Sequence, residues 1–368
     1  MITELRLRDW KSFKDTVVYI DPLTFLIGTN ASGKSNILDA FDLLARLSKG
    51  STLEDAVNQV RGGEEWIIRK GCQQAELEVV MEVSSWKYTY HITISKDNIG
   101  LKQTSNDIYV CPQGKNGEYS EMVREHDVST SINVNIDKDS SYPGPEKDIP
   151  SIVLNQLKQI FILEPIPERM RGFSKLSKEL KRDGSNIAGV IAALDKDQKT
   201  AIESTLSTYV RPLPERDIKS IEAVPVGLSK TDAMLYCYEG WNPNVPVDAR
   251  GMSDGTLRFA AIVVALLTAK PQSLLLVEEV DNGLHPSRAK ELVKMLREIS
   301  QKRHVDVLCT THNPILINEL GNEMIPFISY IKRDQEGCSY VELLEEKDNL
   351  AKLMANGTIG DLMTRNRL

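Results

Sequence analysis

The stretch that most constrains this chain runs from Gly28 to Asn36 and reads Gly-Thr-Asn-Ala-Ser-Gly-Lys-Ser-Asn. It matches the pattern G-x-x-x-x-G-K-[ST] at every fixed position. Gly28 and Gly33 allow the backbone to curl so that successive N–H groups point inwards at phosphate oxygens. Lys34 has the reach for the β- and γ-phosphates, and the Ser35 hydroxyl is suited to ligate Mg²⁺. The pattern therefore predicts a site for a nucleoside triphosphate with Mg²⁺.

The residues on either side of this loop supply the context that the pattern requires. Before it, Leu23–Ile27 is a short apolar run that predicts a buried strand. After it, apolar residues recur at helical spacing between residues 37 and 47. A helix that begins at Ser35 directs its N-terminus at the loop, where an anion is favoured. We predict that the nucleotide contacts Gly28, Asn30, Ala31, Ser32, Gly33, Lys34, Ser35 and Asn36.

Charge and cysteine usage bound the class of protein. The chain has 45 Lys and Arg against 52 Asp and Glu, a net charge of −7, which is not typical of an obligate nucleic-acid binder. Its five cysteines are scattered and form no C-x-x-C pair, which argues against a zinc site and for a reducing compartment. We see no signal-peptide pattern and no apolar run of membrane-spanning length, so we expect a soluble cytoplasmic protein.

The turn at residues 10–13, Trp-Lys-Ser-Phe, lies between two short apolar stretches shortly before the phosphate loop. It is placed to return over the adenine with an aromatic or cationic side chain. Ordinary packing of a hairpin explains the same residues equally well. Both interpretations stay open from the sequence.

The residue pattern in the middle of the chain is typical of antiparallel strands. We predict strands at residues 66–68, 76–83, 86–94 and 132–136, and long loops across 95–150, where Asn, Asp, Ser, Gly and Pro are frequent. A compact apolar run at Ile160–Leu163 predicts a core strand.

A basic cluster follows this run. It is either a solvated helix face or a surface for DNA, RNA or an acidic partner. Its members are Arg169, Arg171, Lys175, Lys178, Lys181 and Arg182.

Three later motifs carry further polar groups. A Ser253-Asp254-Gly255 turn opens an apolar helix. An apolar strand ends in the adjacent carboxylates Glu278 and Glu279, at the kind of strand end where open α/β sheets bind ligands. One carboxylate is suited to hold Mg²⁺ and its neighbour to polarise a water. Another strand ends at His312, which is suited to sense a γ-phosphate.

In this order, the phosphate loop, the Ser-Asp-Gly turn, the paired carboxylates, residues 282–285 and His312 resemble an ABC-type ATPase head. The chain is similar to the RecF/OLD/SMC-like branch, whose compact bacterial members are AAA-family ATPases. The resemblance covers roughly residues 1–50 and 250–320. It implies an α/β fold with a P-loop core sheet, an antiparallel β lobe and an inserted helical subdomain. We expect one head made of residues 1–62, 63–150, 151–250 and 251–368.

The resemblance also implies roles for individual residues. Lys34 and the loop bind phosphates, while Ser35 and Glu278 serve Mg²⁺. Glu279 positions the hydrolytic water, and His312 is the switch histidine. Ser253, Asp254 and Gly255 form the signature that caps the γ-phosphate of the opposite protomer. Residues 282–285 would be the D-loop, and Gln159 is assigned to the Q-loop.

Two residues depart from the family pattern. Glu278 stands where Asp is frequent, and its longer side chain would reach the metal through a water. Asp254 stands where transporters have Gly, which would place a negative charge near a phosphate and slow hydrolysis.

Several features that the sequence lacks narrow the subclass. We find no long heptad stretch for a coiled-coil arm and no C-x-x-C zinc hook. The segment after His312 is too short for the Toprim nuclease of full OLD proteins, so a nuclease or toxin would be a separate protein.

We therefore expect an ATP-sandwiched homodimer that switches an effector, as in bacterial anti-phage or abortive-infection systems. The alternatives are a RecF-like DNA repair or recombination ATPase, and a structural subunit that binds ATP but scarcely hydrolyses it.

Overall fold

The computed structural model of this 368-residue chain describes residues 1–98, 100–113, 121–126, 131–136, 148–211, 218–355, 357–365 and 367. The fold is α/β, as the sequence predicts. The chain forms two compact units. The first comprises Met1–Phe161, Gln272–Leu274 and Phe327–Lys347, and the second Ile162–Pro271, Leu275–Pro326 and Asp348–Leu368. The division into four segments remains a prediction.

The strands, in chain order, are β1 Ile2–Trp10, β2 Phe13–Tyr19, β3 Leu23–Ile27, β4 Gln74–Val83, β5 Trp86–Lys96, β6 Leu101–Pro112, β7 Glu121–His126, β8 Ser131–Ile136, β9 Ile160–Leu163, β10 Ser174–Lys175, β11 Ile218–Val226, β12 Asp232–Glu239, β13 Asn242–Asp248, β14 Leu274–Val277, β15 Asp306–Thr311, β16 Ile328–Arg333 and β17 Ser339–Leu343.

The helices are α1 Lys34–Ser48, α2 Leu53–Asn58, α3 Gly63–Ile67, α4 Ile149–Lys158, α5 Pro167–Met170, α6 Ile187–Ala193, α7 Lys196–Val210, α8 Asp254–Thr268, α9 Ala289–Arg303, α10 Pro314–Glu319, α11 Leu350–Met354 and α12 Ile359–Thr364. Short 3₁₀ turns occupy Ala249–Gly251, Pro286–Arg288, Asn322–Phe327 and Leu344–Glu346.

The first unit contains a large mixed sheet. Its strands follow the order β7-β8-β6-β5-β4-β1-β2-β17-β16-β3. β1, β2, β4, β5 and β6 pair in antiparallel fashion, whereas β3–β16 and β2–β17 are parallel. The parallel pairs bring two strands from late in the sequence into this part of the sheet: β16 lies beside β3, the strand that leads into the phosphate loop, and β17 lies beside β2.

The second unit has β15, residues 275–277 of β14 and residues 162–163 of β9 in succession. It also has a separate antiparallel sheet in which β10 and β11 flank β12 and β13 also pairs with β12. Every residue of β14 and β15 is buried. Strands covered on both faces carry continuous apolar runs, which is why the sequence identifies them well. The core strands predicted at Leu23–Ile27 and Ile160–Leu163 are confirmed as β3 and β9.

Two predictions in the β lobe are wrong. Residues 63–67 form helix α3 rather than a strand, because Gly62 and Gly63 turn the chain with positive φ and two glutamates follow in the first helical turn. Part of the predicted loop region after residue 95 is also strand, since β6 and β7 pair there despite their polar composition, whereas the strand predicted at 132–136 is confirmed as β8. Residues 114–120, 127–130 and 137–147 of that region lie outside the described residues.

Among the helices that the structure describes, none is both long enough and apolar enough to cross a membrane.

Candidate nucleotide site

The phosphate loop connects β3 to α1 in the first unit. Gly33 is the N-cap of α1 and gives the helix no side-chain cap, and the first turn of this described helix has no acidic residue. Lys34 is buried, and its Nζ donates to the carbonyl oxygens of Gly28 at 2.7 Å and Thr29 at 2.8 Å. A helix N-terminus beside an ammonium group is a favourable place for a phosphate.

Both invariant glycines of the loop pattern have a steric reason. Gly28 has φ of 152°, and a Cβ there would lie 2.5 Å from the carbonyl oxygen of Ile331 in β16. Gly33 has φ of 122°, and its Cβ would lie 2.6 Å from Ser339 Oγ in β17. Ser339 Oγ donates to the Ser32 carbonyl at 2.6 Å, so the loop is built against the two late strands.

The hairpin turn at residues 10–13 supports the loop without offering an aromatic ring. Trp10 is 0% exposed, and its Nε1 donates to the Asn36 carbonyl at 2.8 Å. Trp10 therefore packs in the core, and the interpretation that it covers the adenine is wrong. Lys11 Nζ forms a 2.6 Å ion pair with Asp39, although burial lowers the pKa of this lysine.

A cavity of about 570 Å³ adjoins the start of α1 and reaches Lys11 and Asn36. The aromatic side chain in its wall is Trp66, which is 47% exposed and has Lys70 Nζ 4.1 Å from its ring centroid. Other cationic side chains in the wall are Arg61, Arg69 and Arg333.

These residues fit a nucleotide. A loop that has no room for a Cβ, an open helix N-terminus and an adjacent basic cavity with one aromatic ring suit phosphates followed by a nucleoside. Ser35 is in the first turn of α1, where its hydroxyl is suited to Mg²⁺.

In the second unit, Glu279 follows β14 and has a positive φ of 45°, which is uncommon outside glycine. Its backbone N–H donates to Thr310 Oγ1 at 2.8 Å. Asn282 Nδ2 donates to Glu279 Oε2 at 3.1 Å, and His312 Nδ1 lies 3.8 Å from Oε1. Glu279 and His312 are about half exposed, so both carboxylate oxygens are oriented while water has access.

A hydrogen bond also orients Asp281, because Thr311 Oγ1 donates to Asp281 Oδ1 at 2.7 Å. His285 turns back on its own chain, with Nδ1 2.8 Å from Ser287 Oγ. Glu278 is anchored through its backbone N–H, which donates to the Leu163 carbonyl at 3.3 Å.

The Ser-Asp-Gly turn begins α8. Ser253 is the N-cap and accepts a hydrogen bond from Thr256 N at 3.1 Å. Gly255 packs against residues 282–285, since a Cβ there would lie 2.8 Å from the Gly283 carbonyl oxygen. Asp254 is paired with the guanidinium of Arg171, so its charge is compensated within the chain.

The six residues of the basic cluster differ in whether they form ion pairs in the structure. Arg169 pairs with Asp183 at 3.2 Å, Arg182 with Glu164 at 3.3 Å, and Arg171 with Asp254. Lys175, Lys178 and Lys181 are exposed and, within the described part of the chain, form no ion pair. Three lysines thus remain as a candidate surface.

The remaining site prediction is Gln159, which lies in the first unit as the C-cap of α4. Its Oε1 is buried and has no hydrogen-bond partner among the described residues. An unsatisfied buried oxygen is consistent with a ligand contact. The Q-loop role remains a prediction.

Sequence reasoning missed Arg171, Thr310, Trp66 and Ser339 as parts of the site. Thr310 and Ser339 act through hydrogen bonds to backbone groups far away in the sequence, for which no motif exists. Of these four residues, Trp66 alone has a recognisable local sequence, the short stretch Gly-Gly-Glu-Glu-Trp. The strand predicted at 66–68 hides the significance of this stretch.

Two family models match the chain. Residues 115–318, more than half of the chain, match a family described as "AAA domain, putative AbiEii toxin, Type IV TA system". Residues 1–99 match a family described as "AAA ATPase domain".

Curated relatives match over a short segment. The DNA replication and repair protein RecF of Nocardioides sp. (strain ATCC BAA-499 / JS614) is 31% identical over 83 residues, which is 22% of this chain and 20% of that protein. RecF of Streptomyces avermitilis is 34% identical over 83 residues, 22% of each chain. The match thus spans about a fifth of the length of these relatives.

Solved SMC heads share the fold. The SMC head domain from Thermotoga maritima has a TM-score of 0.50 at 16% identity, covering 93% of this chain and 98% of that one. The Smc head domain with an extended coiled coil, bound to the C-terminal domain of ScpA derived from Pyrococcus furiosus, has a TM-score of 0.56 at 14% identity, covering 96% and 98%.

Proposed function

This chain belongs to the AAA-domain family matched at residues 115–318, within the RecF/SMC-like branch of ABC-type ATPases, and from that premise we propose that it is an ATP-hydrolysing switch. Two copies close head to head around ATP and reopen after hydrolysis. Each copy supplies the phosphate loop for one nucleotide and the signature turn for the other. Closure is driven by ATP binding and controls a separate effector protein.

The observation that carries the proposal is the arrangement around Glu279. Its backbone is fixed by Thr310, and its two carboxylate oxygens face Asn282 and His312. A half-exposed carboxylate oriented at both oxygens is suited to hold an attacking water in line with a phosphate.

The other residues act by position and charge. Lys34 and the N-terminus of α1 would hold the β- and γ-phosphates, and Ser35 with Glu278 would hold Mg²⁺. When bound, Mg²⁺ neutralises charge that develops on the phosphate oxygens. The signature turn at Ser253 and Gly255 would bring a second helix N-terminus to the same phosphate from the other protomer.

The decisive experiment compares the wild-type chain with Glu279→Gln. The amide keeps the hydrogen bond from Asn282 with little change in shape, but it loses the charge that orients the water. We expect ATP turnover to fall about 100-fold or more, ATP binding to persist, and a stable ATP-dependent dimer to appear in sedimentation.

The matched control is Glu323→Gln, which changes a surface carboxylate paired with Arg297 and should leave turnover unchanged. Normal hydrolysis by Glu279→Gln, or a chain that stays monomeric with ATP in that variant, would contradict the switch.

We also propose that the effector is a nuclease or toxin in an anti-phage or abortive-infection system, which the description of the matched family supports. Lys34→Ala should abolish phage protection in cells that carry the chain with its neighbouring genes. Protection that is independent of Lys34 would separate the chain's ATPase from any such role.

A RecF-like DNA repair ATPase is the second candidate. The RecF matches and the three unpaired lysines in 175–181 favour it. Duplex or single-stranded DNA should then bind with an affinity that falls steeply with salt, and Lys175→Glu with Lys178→Glu and Lys181→Glu should weaken binding at every sequence tested. No binding at low salt would remove this candidate.

A further inference from the structure

We propose that Arg171 is a positioning residue that fixes the signature turn, residues 253–255, in the orientation in which it meets a triphosphate held by a second copy. The inference rests on the proposed function, because it assigns how the signature of that switch is held. It also explains why this chain tolerates an aspartate within the turn.

The guanidinium of Arg171 gathers four acceptors around the approach to α8. Its Nη1 donates to the carbonyl oxygens of Ala249 at 3.1 Å, Arg250 at 2.9 Å and Met252 at 2.8 Å. Its Nη2 donates to Asp254 Oδ1. The partners lie about 80 residues away in the sequence, so one side chain joins the end of α5 to the start of the signature helix.

The acceptors explain why an arginine is needed. Ala249 and Arg250 belong to a 3₁₀ turn in which the Ala249 carbonyl accepts the backbone N–H of Met252 at 3.3 Å, and Arg171 adds a donor to both carbonyls at the end of this turn. A planar guanidinium with five N–H groups can serve such carbonyls on one nitrogen and a carboxylate on the other. A lysine ammonium is a point donor on a flexible stem, so it cannot keep both sets at once.

The Arg171–Asp254 ion pair also compensates the negative charge in the signature turn. Asp254 is half exposed in the first turn of α8, close to the Ser253 and Gly255 positions proposed to face a phosphate. A lone carboxylate there would repel the nucleotide. The Arg171 cation next to it compensates that charge, so the turn can present backbone N–H groups to the phosphate.

The opposite side of the turn is closed by the D-loop segment. Gly255 approaches the Gly283 carbonyl so closely that a Cβ would lie 2.8 Å from it, with Leu284 Cδ2 at 3.5 Å. Ala249 and Met252 are buried and anchor the chain independently of Arg171. Without Arg171, the signature turn should therefore no longer be held in one orientation, while the unit stays folded.

The test uses the full chain in the Glu279→Gln background and measures two constants. One is the dissociation constant of ATP for the monomer, which reports the phosphate loop. The other is the dissociation constant of the ATP-bound dimer, which reports the signature. Arg171→Ala and Arg171→Lys should each weaken the dimer about tenfold or more and change ATP binding by less than about twofold.

Three further variants separate orientation from charge. Asp254→Asn alone should have the smaller effect, and adding it to Arg171→Ala should recover part of the dimer affinity. Exchange of the two charges, Arg171→Asp with Asp254→Arg, should not restore it, because an aspartate cannot donate to the three carbonyls. Arg297→Ala removes another arginine–carboxylate pair and is the matched control.

Unchanged dimer affinity in Arg171→Lys would overturn the proposal, as would an equal loss of ATP binding and dimer affinity. If the parent Glu279→Gln chain does not dimerise, the proposed switch fails, and the Arg171 contacts are still tested by amide hydrogen exchange in the monomer. Arg171→Lys should then accelerate exchange in residues 249–257 and Arg297→Ala should not; equal exchange in both would overturn the inference.

Discussion

Thr310 Oγ1 accepts a 2.8 Å hydrogen bond from the backbone N–H of Glu279, which holds that glutamate at a positive φ of 45°. A non-glycine residue in this region costs about 1–3 kcal/mol and persists where its surroundings determine it. The contact therefore connects the geometry of the proposed water-positioning carboxylate to a buried strand, β15.

Thr310→Val should damage activity more than stability. The change keeps the shape of a buried side chain but leaves the Glu279 N–H without its acceptor, which costs about 1–3 kcal/mol of unfolding free energy. ATP turnover should fall about tenfold or more because Glu279 is released, while ATP binding is kept. Thr208→Val, on the solvent side of α7, is the control; equal turnover in the two variants would contradict the role of Thr310.

Gly33→Ala should abolish nucleotide binding. Its Cβ would lie 2.6 Å from Ser339 Oγ and 3.0 Å from Ser339 Cβ, in a backbone with φ of 122°. Gly50→Ala at the far end of α1 is the control, since its φ is also positive, at 91°, but nothing lies within 4 Å. Gly50→Ala should lose about 1–2 kcal/mol of stability from its backbone conformation, and Gly33→Ala should lose more because of the added overlap. Calorimetry with ATP should show a loss of binding in Gly33→Ala alone.

Gly255→Ala should have two opposing effects, a gain in the helix propensity of α8 and a steric clash with the segment 282–285. Alanine favours a helix by about 1 kcal/mol over glycine, but its Cβ would meet the Gly283 carbonyl oxygen at 2.8 Å. We expect a melting temperature close to that of the wild type and turnover reduced about tenfold, because the D-loop segment must shift. Gly172→Ala, with nothing within 4 Å, should change neither quantity; wild-type turnover in Gly255→Ala would show that this contact is not needed.

Trp66→Ala should weaken the binding of ATP but leave the binding of inorganic tripolyphosphate unchanged. Stacking of a base on an aromatic ring is worth about 1–3 kcal/mol, so the dissociation constant for ATP should rise about tenfold. Trp241→Ala, an exposed tryptophan at the β12–β13 turn, is the control. A parallel loss of tripolyphosphate affinity would mean that the cavity beside Trp66 does not hold the nucleoside.

The sequence predicts the central part of the fold well for a physical reason. β3, β14 and β15 are buried throughout and β9 at three of its four residues, so they appear as continuous apolar runs. The phosphate loop pattern depends on glycines with local steric causes. α8 is identified in the same way, because its apolar residues are buried on nearly every side.

The supporting contacts follow no local pattern and could not be read from the sequence. The sequence places Arg171 among five other basic residues, whereas its hydrogen-bond partners are around residue 250. Ile67 and Ile68 predict a strand that includes Trp66, yet Gly62 and Gly63 begin a helix there. The polar composition of β6 and β7 predicts loops, because pairing with neighbouring strands, rather than composition, makes these segments strands.

The position of Ser339 against the phosphate loop has a consequence for protein synthesis. The hydrogen bond from Ser339 to the Ser32 carbonyl joins residues 307 apart, and Ile331 borders Gly28 from the same late strands. At about 5–20 residues per second a ribosome needs roughly 15–60 s to bridge that distance. During this interval the nascent loop lacks the walls that shape it, so the chain acquires a complete phosphate cradle only after β16 and β17 have been translated.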